Sequence, residues 1–191
     1  MKNLAKISSV VAFSCLGLVT FNSCNKLGKK LQYDLDMQTA SVELVIPPYS
    51  GTTLALSGSQ TENFNVDSFI KANTANLMGV SNITSAKIKS CELTLHDATT
   101  ALNFANFQSC GGSFFTDGNP TPFEISIPDN PDAFADRLTL PVDTSAELRG
   151  YLTNSSRFTY TLSGRLRRPA TDSIHCTATF TFKVHVQAAG E

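Results

Sequence analysis

Tryptophan is absent from this chain, histidine occurs three times in 191 residues, and charged side chains make up 16% of it. So few imidazoles leave little material for metal ligation or acid–base chemistry. Lys and Arg number 15 against 16 Asp and Glu, a net charge of −1. That balance excludes the basic footprint of a nucleic-acid binder and the acidic block of a solvating tail. The longest uncharged apolar stretch, Ile7–Phe21, is too short for a bilayer-spanning helix. Gly-rich phosphate loops, nucleophile elbows, internal repeats and sustained 3.6-residue periodicity are missing as well, which argues against a nucleotide-binding fold, a solenoid or a helical bundle.

What is present starts at the N-terminus. Met1–Lys6 carries two lysines, Ile7–Phe21 is apolar, and Asn22-Ser23-Cys24 closes the stretch with a small residue before a cysteine. A charged start, a short apolar middle and a small-residue boundary describe a cleaved export signal. Ser23-Cys24 resembles the end of a bacterial lipoprotein lipobox of the relaxed Bacteroidota type. Ser14-Cys15 has the same dipeptide but about eight apolar residues upstream, at the low end for an export signal. The resemblance implies that residues 1–23 are removed and that Cys24 carries the lipid, several acyl chains making an anchor that stays in the bilayer. Asn25, Lys26, Lys29 and Lys30 lack both the acidic residue of inner-membrane retention and the acidic run of surface-export signals. The implied address is therefore the outer membrane, facing the periplasm, with surface display left open.

Removing residues 1–23 from 191 leaves 168, enough for one domain with its own core, and lowers the net charge from −1 to −3 because two lysines are lost. Thirteen Phe, frequent Thr and Ser, and short alternating runs favour an all-β domain. Residues 24–40 read as a lipidated polar tether and 41–191 as a single domain. Val42, Leu44 and Ile46 mark a first strand, and Leu54 and Leu56 a second. Asn65 caps a short helix with Val66, Phe69 and Ile70 on one face. Lys87–Leu95 is a strand in which Ile88 is out of phase with Cys91, Leu93 and Leu95, so a bulge is expected near Lys89-Ser90. Asp117-Gly118 links Ser113–Thr116 to Pro122–Ile127 as a hairpin. Pro128–Asp136 is a loop and Arg137–Leu140 a strand. Thr144–Glu147 has capping-box spacing before a second helix bearing Leu148, Tyr151 and Leu152. Phe158, Tyr160 and Leu162, then Ile174 through Val186, alternate with polar residues over long runs and read as a closing hairpin. The expected fold is an antiparallel β-sandwich with two short helices, a barrel being the alternative. Residues 85–186 resemble small uncharacterised lipoproteins with an immunoglobulin-like or late-embryogenesis-abundant-like sandwich, in the order strand, Asn103-Phe104, Asp-Gly hairpin, Leu148/Tyr151 helix and long last strand.

Five features compete for chemistry. Three cysteines remain beyond Cys24, which leaves one disulfide with one thiol, or no disulfide; the expected bridge is Cys91–Cys110, with Cys176 a buried thiol. Gln108-Ser109-Cys110-Gly111-Gly112 resembles the nucleophile signature of caspase-like proteases, but the histidine at the family's spacing upstream is missing. His175 and His185 lie about 33 Å apart along one strand, too far to share an ion. Asp129, Asp132 and Asp136 crowd one loop without calcium-loop spacing, so no metal or other cofactor is expected. Arg165, Arg167 and Arg168 cluster at the last turn, where they suit an anionic partner or merely guard an edge. The function expected from these features is a non-catalytic binding or structural module of the cell envelope, with protein, glycan or lipid partners and no nucleic acid. A small envelope hydrolase and a carrier of an apolar ligand are the alternatives.

Overall fold

The structure is a computed structural model; it describes residues 31–39, 41–50 and 55–188, without the side chains of 55–57. Residues 1–30, and with them the export signal and Cys24, lie outside the described residues.

Among the described residues, nine strands and two short α-helices follow in order: β1 (Gln32–Gln38), β2 (Val42–Ile46), β3 (Ala55–Asn63), α1 (Val66–Asn73), β4 (Ile83–Leu95), β5 (Phe107–Thr116), β6 (Phe123–Ile127), β7 (Arg137–Leu140), α2 (Arg149–Leu152), β8 (Arg157–Leu166) and β9 (Ile174–Gln187). They form two antiparallel sheets packed face to face. One runs β1-β9-β4-β7, with β2 also on β9; the other runs β3-β8-β5-β6. The expected antiparallel sandwich is the observed fold, and the sheets do not close into a barrel. No helix among the described residues is long and apolar enough to cross a membrane.

β1 and β2 lie end to end along β9, Gln38 opposite Thr181 and Val42 opposite Ala178. The sandwich therefore includes Gln32–Gln38, inside what the sequence reads as tether. Tyr33, Leu35 and Met37 alternate with Asp34, Asp36 and Gln38, and the acidic residues mask that alternation. Both acids are engaged on the outer face, Asp34 by His185 at 2.8 Å and Asp36 by Lys89 at 2.6 Å.

The expected β8–β9 hairpin is not formed. β8 pairs with β3 and β5, and β9 with β1, β2 and β4, so the chain crosses between sheets at residues 167–173. Each strand has one apolar face, and stacking the two faces buries both at once. Tyr160 of β8 and Phe180 of β9 meet at 4.8 Å between ring centres. Phe114 of β5 fills the space beside them, with Phe123, Tyr151, Phe180 and Phe182 at 5.2–5.9 Å.

Local signals hold where neighbours in sequence decide them. β4 shifts register between Ile88 and Ser90, so that both Ile88 and Cys91 reach the core. The Ser68 N–H donates to Asn65 Oδ1 at 2.8 Å, and α1 buries Val66 and Ile70. The Thr144–Glu147 capping box does not form; Asp143 accepts the Ser145 N–H and hydroxyl instead. Glu147 is drawn to β4, where it accepts from the Ala86 N–H (2.8 Å) and the Ser85 hydroxyl (2.7 Å) beside the second register shift.

Candidate functional site

The three arginines of the last turn are separated by their partners. Arg167 sends one guanidinium N–H to the Ala105 carbonyl (2.9 Å) and another to the Asn130 carbonyl (2.6 Å). Arg168 pairs with Asp132, which also lies 3.7 Å from Arg167. Asn130 and Asn106, both buried, bind the carbonyls of Phe104, Phe107 and Ala101. Arg167 is thus a structural tie among loops, while Asp132 is engaged through both carboxylate oxygens by Arg168. Arg165 alone faces outward on β8, beside a groove of about 250 Å³ that Ser109, Gly111, Ser126 and Ser163 also line.

Cys91, Cys110 and Cys176 are all buried free thiols, so the expected Cys91–Cys110 bridge is not formed. Cys91 projects from β4 and Cys110 from β5, in opposite sheets. Facing sheets pack about 10 Å apart, whereas a disulfide needs Cα atoms within about 7 Å. Burial pushes each of the three thiols up to about 12. Cys110 is therefore neutral, and no histidine lines the groove beside it.

The histidines meet partners the sequence did not reveal. His96 Nε2 lies 3.0 Å from Glu43, whose other oxygen accepts the Thr177 hydroxyl at 2.7 Å. The carboxylate and the hydroxyl both meet the same ring nitrogen, Nε2, so Glu43 does not orient the ring from the other nitrogen as a triad acid would. His96, Asp97, Asp172 and His175 border a cavity of about 280 Å³ among the loops. No group of three or more His, Cys, Asp or Glu among the described residues is arranged to hold a metal ion.

A larger concavity, about 570 Å³, opens at the opposite end of the sandwich. One wall is the end of β3 and the start of α1 (Asn63, Phe64, Asn65, Val66, Asp67); the other is the end of α2 with the loop after it (residues 152–156), and Val80 closes the side. Both walls are fixed. The Phe64 N–H donates to the Ser156 carbonyl at 3.0 Å, and the Val80 N–H to Asp67 at 2.9 Å. Asp117 accepts the backbone N–H groups of Ser156 (3.0 Å) and Arg157 (3.2 Å), which hold its carboxyl below the usual range. The Ser155 hydroxyl donates to Thr116 at 2.8 Å. The Asp117-Gly118 pair that signals the β5–β6 hairpin thus also anchors the far wall of the cleft. Sequence reading missed this site, because its walls come from segments about 90 residues apart and carry no motif; Asn65 was legible only as a helix cap.

No protein-family model and no curated protein matches the chain. Among solved structures it is similar to a semi-empty VLP of the giant freshwater prawn Macrobrachium rosenbergii nodavirus, at 10% identity over 100% of this chain and 97% of that chain, with a TM-score of 0.33. It is similar also to turnip yellow mosaic virus, at 13% identity over 85% of this chain and 98% of that one, with a TM-score of 0.28. At these identities and scores neither likeness bears on function.

Proposed function

We propose that this chain is an outer-membrane lipoprotein, anchored through the lipid on Cys24 and facing the periplasm, whose sandwich is a non-catalytic binding module of the cell envelope. The cleft between α1 and residues 152–156 carries the binding part of that reading. It is concave, mixed apolar and polar in lining, and braced on both sides before any ligand arrives, which cuts the entropic cost of association. The anchoring part rests on residues 1–24. Seven residues separate Cys24 from Gln32, eight Cα-to-Cα steps with a reach of up to about 28 Å, so the domain stands close to its membrane. The aromatic-filled interior and the neutral buried thiol of Cys110 favour the module over a carrier of an apolar ligand or a cysteine-dependent envelope hydrolase.

Two measurements test the proposal. The mass of detergent-extracted protein is expected to show Cys24 as the lipidated first residue, and Cys24→Ala is expected to move the chain to the soluble fraction. The soluble Cys24→Ala chain should bind envelope preparations saturably, and Asn154→Arg, which fills the cleft, should abolish that binding without lowering Tm. Membrane partitioning that ignores Cys24, or envelope binding that ignores Asn154→Arg, would overturn the corresponding half.

A further inference from the structure

We infer that the cleft between α1 and residues 152–156 takes a neutral, hydroxyl-rich glycan. The inference rests on the reading of that cleft as the protein's binding site and names its ligand class.

Charge is the first argument. Asp67 is the one charged residue in the lining, and its carboxylate is matched by Lys71 at 2.6 Å and by the Val80 N–H. The amino end of α1, which would otherwise attract an anion, is closed by Asn65 and Asp67. Neither an anionic nor a cationic ligand finds an unspent counter-charge here.

The unspent groups are amides. Asn63 and Asn154 bond to no described residue through their side chains, and Asn65 uses only its carbonyl oxygen, on Ser68. Asn103, Asn106 and Asn130, at the other end of the sandwich, are by contrast buried and engaged with backbone. A primary amide offers donors and an acceptor side by side, and a sugar hydroxyl is likewise both donor and acceptor. Beside the amides stands Phe64, half-buried and fixed by Phe69 and Phe158 at 6.1 and 6.3 Å, with the partly exposed Val80 in the same lining and Val66 and Leu152 buried behind it. An aromatic and aliphatic wall next to amides suits the C–H face and the hydroxyl rim of a pyranose together.

Size and backbone geometry agree. A concavity of about 570 Å³ suits a short oligosaccharide rather than a single ion. An extended peptide would be held chiefly by main-chain bonds along a strand, and Asn63 is the only strand residue in the lining.

The test is titration of the full chain in detergent, by calorimetry and amide chemical shifts. The probes are neutral hexasaccharides of β-1,4-glucose, α-1,4-glucose and β-1,4-N-acetylglucosamine, with an oligo-uronate and a neutral peptide as comparators. Saturable binding of a neutral oligosaccharide is expected, with shifts at 63–67 and 152–156. Asn154→Ala or Asn63→Ala should weaken it about five- to tenfold at unchanged Tm, as loss of one neutral hydrogen bond implies. Binding of the uronate or the peptide alone, affinity unchanged in both variants, or silence across the neutral panel would overturn the glycan assignment. Peptide binding lost in Asn154→Ala would do so while leaving the binding-module reading intact.

Discussion

Replacing Gly118 by alanine tests whether the hairpin turn and the cleft wall are one mechanical unit. A Cβ at Gly118 would lie 2.5 Å from the Asn154 carbonyl oxygen, 2.9 Å from its carbon and 2.7 Å from Ser155 Oγ. The serine can rotate away; the Asn154 peptide is backbone and cannot. Reaching ordinary contact at 3.4 Å requires the loop to retreat by about 0.9 Å. Residues 154–156 are tied to Thr116, Asp117 and Phe64, so the retreat has to break or stretch some of those bonds. Overpacking of this kind costs about 1–3 kcal/mol, and a domain of this size loses about 2–4 °C per kcal/mol. Gly118→Ala should therefore melt about 3–10 °C lower. The matched control is Gly150→Ala in α2, where a Cβ would meet only Asn119 Nδ2 at 3.8 Å. There alanine fits, and the loss of glycine's backbone entropy stabilises the helix by about 0.5–1 kcal/mol, a rise of roughly 1–3 °C. Thermal circular dichroism of both variants reads the sign, and hydrogen exchange at the Ser156 and Arg157 amides reads the mechanism. A Gly118→Ala protein that melts with the wild type and keeps both amides protected would refute the coupling.

Three further outcomes follow from the packing and the charges. Phe114→Ala empties the centre of the aromatic cluster at a cost of about 3–5 kcal/mol, so Tm should fall by roughly 10 °C, and a fall under about 3 °C would mean that β5 and β9 do not face each other. Cys91, Cys110 and Cys176, with pKa values raised to about 12 by burial, should resist a thiol reagent at about pH 8 until the protein is denatured; a single reactive thiol after denaturation without reductant would reveal a bridge. Asp117 is held low by backbone N–H groups and Asp143 by Ser145, while at Glu147 the bonds from Ala86, Ser85 and Arg149 outweigh a desolvation that works the other way. Their folded pKa values lie below the unfolded ones, so their stabilisation is present above about pH 4 and fades as acid protonates them; Asp117→Asn with Glu147→Gln should flatten the fall in Tm between about pH 5 and 2.5, and an unchanged slope would count against it.

Much of the chain was legible because period-two alternation is a local property. The long β9 strand, the β4 bulge implied by Ile88 out of phase with Cys91, the Asn65 cap and the β5–β6 hairpin each depend on residues within one strand or turn. β1 escaped notice because Asp34 and Asp36 look like solvated tether until His185 and Lys89 are seen opposite them.

Which strand pairs with which was decided only in three dimensions. Alternation says that β8 and β9 each have an apolar face, but it is equally satisfied by a hairpin and by two strands stacked across a core. The structure takes the second arrangement, which lets Tyr160 and Phe180 bury each other. The same step splits Arg165 from Arg167 and Arg168, holds Cys91 and Cys110 in opposite sheets, and turns Glu147 from a helix cap into a clamp on β4. It also builds the cleft, because Asn63 and Asn154 become neighbours only through the pairing of β3 with β8 and the Phe64–Ser156 bond. Composition and local pattern determined the all-β architecture. Contacts across the core, which no local pattern encodes, decided the partners of its charged and polar groups.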